Sequence, residues 1–145
     1  MSWDQVNLFE NVHFRIEHSG YYRIAGFLFV LPKENVRSLS ELSYEASSNL
    51  GPTLQLATRA VNEVLKPINI YCTKFGESGG SLHFHIFPRT DEITDLYHTA
   101  NGATDSIDGP HLMSWANLTF TGSNEHGNIP ATVELLQDFF AREDR

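Results

Sequence analysis

The sequence is poor in cysteine and in positive charge, and it has no long apolar run. A single cysteine, Cys72, stands in 145 residues, so no internal disulfide can form and a reducing, cytoplasmic setting is expected. Tyr71-Cys72-Thr73 lies in an apolar stretch, where a thiol is packing material before it is a nucleophile. Lys and Arg number 10 against 18 Asp and Glu, a net charge of −8. Such a chain lacks the basic face that a nucleic acid backbone requires, so no polymeric nucleic acid partner is expected. A few cations and backbone N–H groups converging on one pocket would still hold a small phosphate ligand. The longest apolar run, residues 25–32, falls well short of the roughly 20 residues that cross a bilayer, so no membrane partner is expected. Met1 to Glu10 carries Asp4 and Glu10 without a basic cluster, and does not read as a signal peptide. Internal repeats and low-complexity tracts are also missing.

What is present is globular. Hydrophobic residues make up 41% and charged residues 19%, with ten Phe, five Tyr and two Trp as bulky core material. One domain spanning 1–145 is expected at this length. Alternation in Val12–Ile16 predicts a half-buried strand, and a second extends over Tyr21–Ile24 after the His18-Ser19-Gly20 turn signal. The near-continuous run Ala25–Pro32 predicts a central strand ended by proline. A helix start is marked at Ser40, but residues 47–52 interrupt the pattern, so the main helix is placed from Pro52 to Leu65, stopped by Pro67. Ile68–Phe75 and Ser81–Pro88 form a hairpin about the turn Glu77-Ser78-Gly79-Gly80. Residues 91–110, polar and rich in turn signals, are expected to form a long surface loop or lid. Leu118–Thr121 offers one more short strand, and Pro130–Arg142 a closing helix with an apolar face.

The chemistry concentrates in Ser81-Leu82-His83-Phe84-His85-Ile86-Phe87-Pro88-Arg89. On a strand, His83 and His85 point to one face together with Ser81 and Phe87, while Phe84 and Ile86 point to the other, toward the core. Two imidazoles so placed can share a metal, act on one substrate, or simply be solvated. A metal site needs one or two further ligands. No spacing singles out His98 or His111 for that part, and both are expected as exposed loop residues.

This strand resembles the core of the histidine triad family, His-x-His-x-His-h-h-Pro-Arg with h apolar, and three further features extend the likeness. Gly26-Phe27-Leu28-Phe29-Val30-Leu31-Pro32-Lys33-Glu34-Asn35 lines up with the family's Gly-His-h-h-h-h-Pro-Lys-x-His segment. Gly76-Glu77-Ser78 falls where the family has Gly-Gln-Ser/Thr. The order of strands and long helix also fits. The match covers residues 1–90, leaving 91–145 as a divergent loop and C-terminal helix. The resemblance implies an α+β fold: an antiparallel sheet of about five strands, a long helix after the second or third strand and a C-terminal helix. It also implies a homodimer paired through helix and sheet edge, for which Ile68–Tyr71 offers an apolar strand.

By the same resemblance the chain binds a small nucleotide and is a hydrolase or transferase. It would cleave at the α-phosphate of a dinucleoside polyphosphate or a nucleoside phosphoramidate. His83, matching the middle histidine, would be the nucleophile and form a nucleotidyl-imidazole, since imidazole is largely neutral near pH 7 and leaves readily once protonated. His85 would donate to phosphate oxygens, and Ser81, in the first histidine's place, would keep a donor there. Lys33 and Arg89 would serve as phosphate cations, Glu77 and Ser78 would line the substrate, and Phe9 and Phe14, with Leu8, would form a base pocket. No cofactor or metal is implied. The sequence departs from the family pattern at Ser81, Phe27 and Asn35, each where a histidine is expected, and at Glu77, whose carboxylate would repel phosphate. These losses point to an alternative, a nucleotide-binding module with weakened or no turnover. A metal-binding protein using His83 and His85 is the second alternative.

Overall fold

The structure is a computed structural model that describes residues 5–77 and 79–143. Its frame is an antiparallel sheet of β1 (Val6–Glu10), β2 (Phe14–His18), β3 (Leu28–Pro32), β4 (Asn69–Thr73) and β5 (Phe84–Arg89), in the order β1-β2-β3-β5-β4. The long helix α1 (Tyr44–Leu65) follows β3, and α4 (Ile129–Glu143) closes the chain, so the α+β arrangement expected from the sequence is present. β4 is at the edge of the sheet, which leaves the strand expected to pair two copies without a partner on one side. Among the described residues no helix is long and apolar enough to cross a membrane.

Period-2 alternation sorts the strands onto two faces. Phe14, Ile16, Leu28, Val30, Phe84 and Ile86 share one face through the β2–β3 and β3–β5 registers. They pack with Ala57, Ala60 and Val61 of α1 and Leu136, Phe139 and Phe140 of α4 into one core. The opposite face carries Phe29, His83, His85 and Phe87. Its lower half, around Phe87, forms a second core with Ile93, Tyr97, Leu112, Met113 and Ala116. Phe87, grouped with the polar face in the sequence, is therefore fully buried.

Those last residues belong to two helices, α2 (Asp91–Asn101) and α3 (Gly109–Thr119), which replace most of the expected loop over 91–110. The start signals are standard ones. Thr90 caps α2 by accepting from the Ile93 N–H at 3.2 Å, and Asp91 and Glu92 follow in the first turn, where carboxylates oppose the helix dipole favourably. Asp108 caps α3 by accepting from His111 N–H at 3.2 Å, with Pro110 in its first turn. His98 and His111 accordingly sit on helices rather than in a loop.

Helix α1 also starts eight residues earlier than Pro52. Ser43 is its N-cap, accepting from Ala46 N–H at 3.1 Å. Ser47, Ser48 and Asn49 bond back to the carbonyls of Tyr44 and Glu45 instead of breaking the helix. Pro52 thus lies inside the helix. The helix ends as expected at Leu65, with Lys66 left-handed (φ 48°). Tyr21–Ile24 is not a strand but makes single bridges to Thr121 and His126, and of the strand expected over Leu118–Thr121, Leu118 and Thr119 end α3 while Phe120 caps it.

Candidate functional site

The half of the second face that α2 and α3 leave uncovered is a cleft of about 390 Å³ floored by His83 and His85. Sheet alternation places both imidazoles there, with ring centroids 5.0 Å apart. The strand β5 begins only at Phe84. Before it the chain is held by Leu82 N–H donating to the Val36 carbonyl at 2.8 Å. His83 Nδ1 lies 2.9 Å from the Ser81 carbonyl. A carbonyl only accepts, so this contact puts the ring proton on Nδ1 and leaves the Nε2 lone pair free. Ser81 thus contributes its backbone oxygen, orienting His83.

His85 has a different environment. Its ring packs against Phe29 at 4.9 Å, Phe27 at 5.5 Å, Phe75 at 6.3 Å and Tyr22 at 6.4 Å between centroids. Burial, and secondarily the neighbouring His83, push its pKa down to about 4. The ring is therefore neutral near pH 7 and offers a hydrogen bond without a charge. Its Nδ1 is buried with no hydrogen-bond partner among the described residues. Phe27 is fully buried and stacks on Tyr22 at 5.4 Å. Phe27, where the resemblance expects a histidine, is thus part of an aromatic wall beside His85.

Of the other expected site residues, Glu77 lines the cleft, and Ser78 lies outside the described residues. Lys33 is turned to Glu10, with Nζ 3.2 Å from its Oε2. Arg89 is at the far end of β5, six residues from His83 and so about 20 Å along an extended strand. Its guanidinium donates to Thr94 at 3.2 Å. Neither cation lines the histidine cleft. Phe9 and Phe14 are corrected outright as a base pocket. Phe14 is fully buried beneath α1 and α4, and Phe9 packs on Phe140 at 5.5 Å, on the opposite face of the sheet. Alternation from the β2–β3 register was the signal that separates them from the histidines.

The structure brings to the cleft residues that the sequence did not single out: Tyr21, Tyr22, Phe29, Phe75 and Asn117. Phe29 was two places from the noted Phe27 and on the histidine face by register, Phe29 opposite His85. Asn117 arrives only because α3 exists. Among the described residues no three His, Cys, Asp or Glu side chains converge to hold a metal ion, so the metal-binding alternative lacks a third ligand.

No family model and no curated protein matches the chain. Solved structures do resemble it. One is a Hit-like protein involved in cell-cycle regulation from Bartonella henselae, with 15% identity, TM-score 0.61, and coverage of 94% of this chain and 87% of that one. A Zn-bound histidine triad family protein from Mycobacterium smegmatis gives 16% identity and TM-score 0.62 over 97% and 87%. A hypothetical histidine triad nucleotide-binding protein from Sulfolobus tokodaii strain7 gives 17% and 0.60 over 96% and 83%. At such identities the likeness is one of fold, and the fold is that of the histidine triad proteins.

Proposed function

We propose that the cleft binds a small nucleotide with its α-phosphorus at His83, and that the chain is a nucleotide hydrolase or transferase working through a nucleotidyl-His83 intermediate. The observation that carries this is the orientation of His83: Nδ1 tied to the Ser81 carbonyl, Nε2 free, and the ring at the floor of an open cleft. In the first step the Nε2 lone pair forms a bond to phosphorus, and the bond from phosphorus to the leaving oxygen or nitrogen breaks. The leaving group takes the electron pair of that bond and, where it is an amine, a proton from the solvent, which the attacking water or acceptor gives back in the second step. Water or another acceptor then attacks the phosphorus, the N–P bond breaks, and neutral His83 is restored. The substrate classes that fit this chemistry are dinucleoside polyphosphates and nucleoside phosphoramidates.

His85 supplies a neutral donor beside the phosphate, which stabilises the transition state less than a charged group would. This favours a second reading, a nucleotide-binding module of weakened turnover, on the single ground that aromatic walls keep His85 uncharged. One experiment separates the two. Wild type and His83→Ala are incubated with labelled diadenosine polyphosphate and adenosine phosphoramidate, and AMP release and acid-trapped protein–AMP adduct are measured. We expect both signals in wild type and a loss of at least about a thousandfold in the variant. Equal background in both proteins, with nucleotide still bound, would leave the binding module standing and remove the enzyme.

A further inference from the structure

A nucleotide with its α-phosphorus at His83 has two arms, the nucleoside and the leaving group, and both must lie along the same open trench. The histidine cleft runs on into a second depression of about 390 Å³, with which it shares Tyr21, Tyr22, Phe75 and Asn117. Helix α3 closes the far side of that depression through Pro110, Met113 and Leu118. Among the described residues lining either half there is no Lys or Arg, and the one carboxylate is that of Glu77. Glu77 has no ion-pair partner among the described residues.

The cations that could offset this carboxylate are placed elsewhere. Lys33 is held by Glu10, and Arg89 donates to Thr94. Lys74 is three residues away in sequence, but it lines a separate groove along the β4 edge with Ile70 and Cys72. Its ammonium packs on Gly76, where an added Cβ would stand 2.9 Å from Nζ. His85, beside the phosphate, is uncharged near pH 7.

The two arms differ in what such walls tolerate. A nucleoside is uncharged and rests well on aromatic and apolar surface. A polyphosphate leaving group is anionic at every phosphate. Here it would face Glu77 with no cation to offset either charge, in a chain whose net charge is already −8. A leaving group that carries an ammonium meets the opposite situation. Glu77 attracts it, and the rings of Tyr21, Tyr22 and Phe75 offer it their negative faces.

We propose that Glu77 sets the charge of the leaving group: the cleft accepts nucleotides whose group beyond the α-phosphorus carries an ammonium, and rejects those that continue as polyphosphate. The inference rests on the nucleotide reading of the cleft. Of the two substrate classes given for it, the phosphoramidates of cationic amines are selected. Repulsion of the wrong ligand contributes to such a choice as much as attraction of the right one. Glu77 acts on the leaving group and not on the reacting atoms, so it is a specificity residue.

Titration calorimetry with the aminohexyl, hexyl and carboxypentyl esters of AMP tests it, with AMP as reference. The three tails are alike in length and end in a cation, a methyl group and an anion. Wild type should bind the aminohexyl ester most tightly and the carboxypentyl ester least, about tenfold apart at low salt, and added salt should narrow the gap. Glu77→Gln should bring the three together, Glu77→Lys should reverse their order, and Lys74→Ala should keep it. Equal binding of the three esters by wild type overturns the proposal without any variant having to fold, as does tightest binding of the carboxypentyl ester. An order that survives in Glu77→Gln, or one that disappears in Lys74→Ala, overturns it as well. Binding of AMP but of none of the esters has the same meaning, and in all these cases nucleotide binding itself stands. If wild type binds neither AMP nor any ester, the nucleotide reading falls and takes this inference with it.

Discussion

The two faces of the sheet are built from the same alternating strands but finished differently. One is closed from end to end by α1 and α4 over Phe14, Ile16, Leu28, Val30, Phe84 and Ile86. The other is closed by α2 and α3 only around Phe87 and open above His83 and His85. Neighbouring residues of β5 therefore have opposite duties. Ile86 and Phe84 hold the sheet to its helices, while His83 and His85 project from that rigid backing into the cleft. A reactive group is best carried on an element whose other face is locked. Histidine alternation alone could not provide this; it is the full burial of the intervening residues that does.

Removing a side chain from each face should show the division. Ile86→Ala, at a fully buried position, should cost about 2–5 kcal/mol by loss of packing and creation of a cavity. Phe75→Ala, at a position 60% exposed on the cleft, should change stability by no more than about 0.5 kcal/mol. It should instead uncover one side of His85, whose pKa would rise from about 4 toward its ordinary 6.5. Denaturant unfolding gives the first pair of values and NMR titration of the imidazole the third. Similar losses from the two substitutions would break the distinction between the faces.

The closed face has its own histidine, and it makes stability depend on pH. His18 is 1% exposed, with Nδ1 donating to the Ser19 carbonyl at 2.9 Å and Nε2 accepting from Gly26 N–H at 2.9 Å. Both nitrogens are used by the neutral ring, and burial lowers the pKa below the ordinary 6.5. His85 and His126 are lowered in the same direction, also chiefly by burial. Well above pH 6.5 none of the three is charged in either state, so they contribute no slope. Below it the unfolded chain takes up protons that the folded chain does not, and stability falls as the pH falls until the folded pKa values are reached. Urea unfolding at about pH 7.5 and about pH 5 should show the lower midpoint at the acid end. A midpoint that rises toward pH 5 would contradict the burial of these rings.

The same contrast explains what the sequence made legible. Strand β3 follows from a near-continuous apolar run ended by Pro32, and the direction of each histidine on the β5 strand from period-2 alternation; both are local properties. The long helix was legible at its end but not its start, because Ser47, Ser48 and Asn49 resemble a break until their side chains are seen to bond the helix's own carbonyls. α2 and α3 were hidden by turn-forming residues. Thr90-Asp91-Glu92 and Asp108-Gly109-Pro110 are both turn-like and helix-starting, and only the burial of Ile93, Tyr97, Leu112 and Met113 decides between them. Since α3 carries Asn117, the walls of the site were lost with the helix. Which face Phe9 and Phe14 occupy depended on strand register, and two aromatic residues near a motif in sequence ended on the far side of the sheet.

Lys33 gives the smallest expected effect and the sharpest check on which cations belong to the open face. Its place after the Pro32 of β3 suggested a phosphate contact, but its ammonium is held by Glu10 at 3.2 Å, and the Lys33 hydrogen bond is the leading cause of the lowered Glu10 pKa. The pair is exposed and screened by solvent, so it adds little to stability. Lys33→Ala should accordingly leave the unfolding midpoint and the affinity for AMP unchanged within error. If AMP affinity drops severalfold while the midpoint holds, the ammonium leaves Glu10 for the phosphate when ligand binds. The open face would then extend to the β1–β2 end of the sheet, and the cleft would gain the cation that its lining lacks.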